Sequence, residues 1–239
     1  MASSLSPRFV TTRWSIVVAA GGQGDGSHAR RALEDLCRGY WYPLYAYVRR
    51  KGCQPDDAAD LVQGFVTALL DRRAFAAADP TRGRFRAFLL ASFDHFIANQ
   101  RRHDNAHKRG GGKTFVGLDF ADGERRYALE PAHDLTPDRI YQRRWALSLI
   151  DAAMARLRQD YADRGKALVF DALAPLISAP SDQPYAQLAQ QLGMTEGAVK
   201  VAVHRLRKRC RDLLRDEVKE TVADSTEVED ELAYLLRTL

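Results

Sequence analysis

Between Tyr185 and Leu213 the apolar residues keep a three-four step that a single glycine interrupts, and few folds accept such a stretch. Leu188, Ala189 and Leu192 form the inner side of a short helix. Gly193 then turns the chain, at a position where a positive φ costs glycine little. Thr195 stands where the next helix needs an N-cap, and Glu196 follows in the first turn, where the helix dipole favours a carboxylate. The second helix keeps Val199, Val203, Leu206, Cys210 and Leu213 on one side and Lys200, His204, Arg207, Lys208, Arg211 and Arg215 on the other. The stretch predicts a helix-turn-helix.

A helix that reads duplex DNA needs this arrangement: small and polar residues at its N-terminal end to enter the major groove, then basic residues to reach phosphates. The alternative is an ordinary amphipathic helix with a solvated cationic face. Charge alone would favour that alternative, because a net charge of +5 and a pI near 9.2 merely permit an anionic partner. The tight turn, the cap and the uninterrupted register together favour DNA.

The rest of the 239-residue chain is also helical in pattern, so the expected fold class is all-α: two small helical domains joined by a flexible linker, the second a helix-turn-helix. Alternation with a period of two is confined to a short stretch at Thr114–Phe120. The predicted organisation is an N-terminal extension over 1–26, a helical domain over 27–109, a linker over 110–136, the helix-turn-helix domain over 137–218 and an acidic amphipathic tail over 219–239. Pro43 predicts a kink or a break in the first helix. Pro55 and Pro137 suit the first turns of later helices, and Gly110-Gly111-Gly112 stops the fourth.

Chemistry of other kinds finds little support. Cys37, Cys53 and Cys210 form no C-x-x-C pair, so the expectation is reduced thiols, with no metal and no disulfide. Gly110 to Thr114 lacks the earlier glycine of a phosphate-binding loop. No catalytic residue and no cofactor is expected. No secretory leader or membrane-spanning run is apparent, so the expected location is the cytoplasm.

At this point the residues resemble a known family. Tyr185 to Arg209 is similar to the second conserved domain of bacterial sigma factors, whose core reads here Gly193-Met194-Thr195-Glu196-Gly197-Ala198-Val199-Lys200, followed by His204-Arg205. Asp57-Ala58-Ala59-Asp60-Leu61-Val62-Gln63-Gly64-Phe65 resembles the other conserved region. The nearest subtype is the small extracytoplasmic-function type. The resemblance implies a factor that binds core RNA polymerase and promoter DNA. It implies that Thr195, Lys200, Val201, His204, Arg205 and Lys208 serve the minus-thirty-five element, although many relatives carry a small polar residue where Val201 stands. It implies that His95, Asn99, Arg101 and Arg102 serve the minus-ten element, with Lys108 and Arg109 on phosphates. His95 as a half-buried structural histidine stays open. Phe85, Phe88, Phe93 and Phe96 read as core rather than as a stacking platform.

Wound at about 100° per residue, Pro55 to Asp71 separates an apolar side from a stripe of Asp56, Asp57, Asp60, Gln63, Gly64, Thr67 and Asp71. In the resemblance, Asp57, Asp60, Gln63 and Gly64 lie on the polymerase-binding face; a solvated face is the bland alternative. The family places acidic residues where Ala59 and Gly64 stand, so two charges are missing. Thr67, central to the stripe, is then a candidate phosphorylation site for a Ser/Thr kinase that would restore charge. An anti-sigma factor is the other candidate regulator. The acidic tail reads as packing on the second domain, as a mask over the basic helix or as a partner surface. Two competing functions remain: a conventional helix-turn-helix regulator acting on duplex operators without polymerase, and a phospho-regulated adaptor.

Overall fold

The computed structural model describes residues 26–70, 84–104, 117–130, 135–178, 185–222 and 224–239, with the side chains at 26–33, 35, 36 and 101–104 excepted. Residues 1–25 of the expected N-terminal extension, Asp71, Lys108 and Arg109 lie outside the described residues, and Gly26 opens the first helix. Among the described residues there is no strand, and Phe120, at the end of the one candidate stretch, opens a helix. The chain divides into two units, residues 1–146 with 219–239, and residues 147–218.

The first unit is organised around α1 (Gly26–Arg50). Every residue from Tyr40 to Val48 is buried, so over more than two turns this helix is covered on all sides. That explains Pro43. The sequence predicts a kink or a break there, and the helix is not broken: it runs on through the proline. An interior proline costs about 3 kcal/mol, whereas each large apolar side chain buried returns roughly 1.5–3 kcal/mol. The enclosing side chains outweigh the lost backbone bond.

Helix α2 (Pro55–Leu70) lays Ala58, Val62, Phe65, Val66 and Leu69 into this core. Helix α3 (Phe85–Asp104) does so with Phe85, Leu89, Phe93 and Ile97, a row at strict spacing of four. Phe65 and Phe93 meet with ring centres 4.9 Å apart.

Part of the expected linker forms a helix. Helix α4 (Phe120–Ala128) is capped by Asp119, whose carboxylate accepts from the Asp122 amide at 2.8 Å. Phe120 meets Trp41 edge-on at 5.1 Å. A Cβ on Gly123 would lie 2.6 Å from the Trp41 ring, so only glycine allows this approach. Glu124 takes two bonds from Arg49, at 2.8 and 2.9 Å, and one from the Tyr45 hydroxyl at 2.7 Å. The Arg49 guanidinium holds the Glu124 carboxyl below its ordinary value.

The long helix α5 (Pro137–Ala162) gives Ile140, Tyr141 and Trp145 to the first unit, where Trp145 stacks on Tyr40 at 4.3 Å. The end of the chain belongs here too. After a turn at 220–222, the last helix carries Glu231, fully buried, between Arg86 (2.6 and 3.2 Å) and Arg84 (2.9 Å). The Phe85 amide donates to the Thr221 carbonyl at 3.0 Å. The sequence favours packing of this tail on the second domain; the structure corrects that, because its buried carboxylate has its arginines in the first unit.

The second unit takes the rest of α5, then α6 (Ala167–Leu173), a 3-10 turn over Ala174–Leu176, α7 (Tyr185–Leu192) and α8 (Glu196–Lys219). Ala153, Leu157, Phe170, Leu173, Leu176, Leu188, Val199, Val203, Leu206 and Leu213 form its core. The remaining helix, α9, is Val228–Leu236 of the first unit. Among the described residues no helix is long and apolar enough to cross a membrane.

Candidate nucleic-acid interface

Helices α7 and α8 meet through a turn made by local bonds alone. Gly193 adopts φ +62, and the Met194 amide donates to the Ala189 carbonyl at 2.9 Å, closing α7. Thr195 then starts α8: its hydroxyl accepts from the Ala198 amide at 3.2 Å and its carbonyl from Val199 at 3.0 Å. Behind the turn, Leu188 and Ala189 face Val199, Val203 and Leu206 in one core, so the orientation of α8 is fixed by packing on one side only.

The other side of α8 is bare. Gly197, Lys200, Val201, His204, Arg205, Lys208 and Arg211 are all exposed and fall within one arc of the helix. Five of the six predicted residues share this arc, and the sixth, Thr195, caps the same helix. The Lys200 ammonium stands 5.7 Å from the Tyr185 ring centre, which ties this cation to the start of α7. Val201 is the apolar exception on the arc, with 49% of its surface exposed.

Not every basic residue of α8 belongs to this face. Arg207 is half-buried and donates from Nε (2.9 Å) and Nη2 (2.6 Å) to the Leu176 carbonyl, closing the 3-10 turn. The sequence places it on the outer side; the structure moves it to the core margin and gives it a capping role. Arg209 pairs with Asp160 at 2.7 Å and Arg156 with Glu217 at 2.8 Å. Gly197, part of the motif but not among the predicted contacts, lies at the leading end of the same arc. Nothing lies within 4 Å of a Cβ built there, and it sits one turn before Lys200 and Val201, so the helix backbone itself is accessible at the leading end. Its spacing from those two residues is the signal that would have added it to those contacts.

With this geometry in view, the comparisons with known proteins place one segment. Residues 181–210 match the family model for sigma-70, region 4. No curated protein and no solved structure matches the chain. Within the second unit, the helix-turn-helix segment is thus similar to sigma region 4, a family of DNA-binding domains.

The other predicted site residues lie in the first unit. On α3, His95 and Asn99 are exposed one turn apart, so His95 is not a half-buried structural histidine. The side chains of Arg101 and Arg102 lie outside the described residues. Phe85 and Phe93 are fully buried and Phe96 packs on Phe65 at 5.7 Å, which makes them core.

On α2 the predicted stripe is only half open. Asp56, Asp57 and Asp60 are exposed. Gln63 is half-buried, with both amide atoms away from solvent. A Cβ on Gly64 would lie 3.2 Å from Phe96, so this glycine is a point of close helix approach and not an open surface position. Thr67 is only 5% exposed, and its hydroxyl donates to the Gln63 carbonyl at 2.8 Å. This corrects two expectations. Gln63 and Gly64 do not extend the acidic surface, and the Thr67 hydroxyl is not available to a kinase in the folded unit.

Two of the three cysteines sit where burial disfavours the thiolate. Burial, helped by Glu34, pushes the Cys37 thiol up to about 12, and burial also raises Cys210. All three are free, and among the described residues no group of His, Cys, Asp and Glu side chains could hold a metal ion.

Proposed function

We propose that this protein is a transcription initiation factor of the sigma type, closest to the small extracytoplasmic-function class and acting in the cytoplasm. The observation that carries the reading is the exposed arc of Lys200, Val201, His204, Arg205 and Lys208, on a helix set by a glycine turn and a threonine cap inside the matched segment. In this reading the leading end of α8 enters the major groove of the minus-thirty-five element, and Lys208 with Arg211 holds flanking phosphates. Exposed His95 and Asn99 on α3 serve the minus-ten element; an asparagine amide both donates to and accepts from an adenine edge. Core RNA polymerase is the protein partner, and the exposed carboxylates of Asp57 and Asp60, joined by Asp56, are the docking face. Three clustered carboxylates suit a basic protein surface and disfavour DNA.

Transcription in vitro, with core polymerase and a pool of genomic fragments, tests this. Protein-dependent starts at defined sites are the expected result. Tight sequence-specific duplex binding with no association to core polymerase would instead identify a conventional helix-turn-helix regulator.

A further inference from the structure

Val201 is an oddity on its own helix. Of the large apolar side chains left exposed among the described residues, it alone stands on the α8 arc, with Lys200, His204 and Arg205 around it. It begins the second turn of α8, about 9 Å along the axis from the Thr195 cap by helix rise, within the leading end that reaches base edges in this docking mode. The side chain is not needed by the core: Val199 and Val203, two residues to either side, are buried, and Val201 points away from both.

The chemistry of a valine in that place is restrictive. Its two methyl groups can neither donate nor accept a hydrogen bond. Of the four bases, only thymine shows an apolar group in the major groove, its C5-methyl; guanine, adenine and cytosine show donors and acceptors that a valine would strip of water without replacing. We infer that Val201 is a specificity-determining residue that reads a thymine methyl in the upstream promoter element. The inference rests on the reading of α8 as the groove-entering helix and adds to it the identity of one base. Lys200, His204 and Arg205, all able to donate, frame the valine, so the thymine lies between positions read or held by donors.

Deoxyuridine tests this directly, because it differs from thymidine only by that methyl. The duplexes preferred by the full-length protein with core polymerase are selected from a random pool. Each thymidine of the upstream element, on both strands, is then replaced by deoxyuridine in turn. The inference expects one position at which the replacement weakens binding about fourfold, the value of one buried methyl-sized group. It also expects that position to lose its effect in Val201→Ser, whose thermal melting, for an exposed residue, stays at the wild-type value. Two results overturn it with DNA binding intact: every thymidine tolerating the replacement, or a sensitive position that stays equally sensitive in Val201→Ser. Failure to bind any duplex, with or without core polymerase, overturns the reading of α8 and this inference with it.

Discussion

Helices α2 and α8 are alike in pattern, each with an apolar side and a charged side, but they differ in how many neighbours enclose them. Helix α2 packs on both α1 and α3, and its polar stripe is closed over its second half: Thr67 is buried and Gly64 lies against Phe96. Helix α8 packs on one core and keeps its whole cationic arc in solvent. A helical wheel fixes the angle at which a residue leaves the axis; the number of elements around the axis decides whether that angle faces water. The lesson is that a charged stripe is evidence of a surface only for helices at the edge of their unit.

The strongest way to break this contrast is to put a charge into the closed part of α2. Thr67→Glu is expected to destabilise the first unit by on the order of 3 kcal/mol or more at pH 7, because a carboxylate would replace a hydroxyl bonded within the helix. The loss shrinks as pH falls toward 5. A buried carboxyl has its folded-state pKa raised, so the folded form holds more protons than the unfolded one and stability drops as pH rises. Urea unfolding of both proteins across this range provides the measurement. A variant as stable as wild type at pH 7 would mean that Thr67 faces solvent and that the stripe is open.

The next test turns the contrast onto α8 itself. Arg207 and Lys208 are adjacent cations that a sequence cannot tell apart. Arg207→Ala removes both donors from the Leu176 carbonyl and is expected to cost about 1.5–3 kcal/mol. Its guanidinium is held away from the arc, so the salt dependence of DNA binding should stay as in wild type. A changed salt slope with unchanged stability would put Arg207 on the DNA face after all.

How much of this was legible depended on the range of the interactions. The helix-turn-helix was, because each of its devices is local: Gly193, the Thr195 cap three residues from its donor and the three-four step all lie within thirty residues. So was the all-α class, since nearly every segment carries its own periodicity. Three features were not. Helix α4 resembles a linker in composition, and it is Trp41 and Arg49, more than seventy residues earlier, that cover Gly123 and pair with Glu124. The place of the last helix rests on Glu231 meeting Arg86, 145 positions away. Gly64 reads as a lost charge until Phe96 is seen above it. In each case the deciding partner is distant in the chain, and a long-range side-chain pair leaves no trace in local periodicity. The same limit applies to the candidate site: its exposed residues were found from one helix, whereas Gln63 and Thr67 on α2 were misplaced because their environment comes from others.

Lys208 is expected to give the smallest change in stability and the most informative change in binding. It is exposed on the arc, about 12 Å along α8 from Lys200 by helix rise, beyond the turns that reach base edges and level with the backbone of a docked duplex. Lys208→Ala should move the unfolding free energy by less than about 0.5 kcal/mol, as for any surface position without a buried partner. Binding should weaken by a similar factor for preferred and for unrelated duplexes, because a phosphate contact carries no sequence information. The slope of log affinity against log salt should fall in magnitude by about 1, the release of one counterion. Affinity measured between low and moderate salt on one preferred and one unrelated duplex separates these outcomes. An unchanged slope would remove Lys208 from the DNA face. A loss confined to the preferred duplex would make it a base-reading residue and shift the docked position of α8 by about two turns, taking Val201 out of the groove.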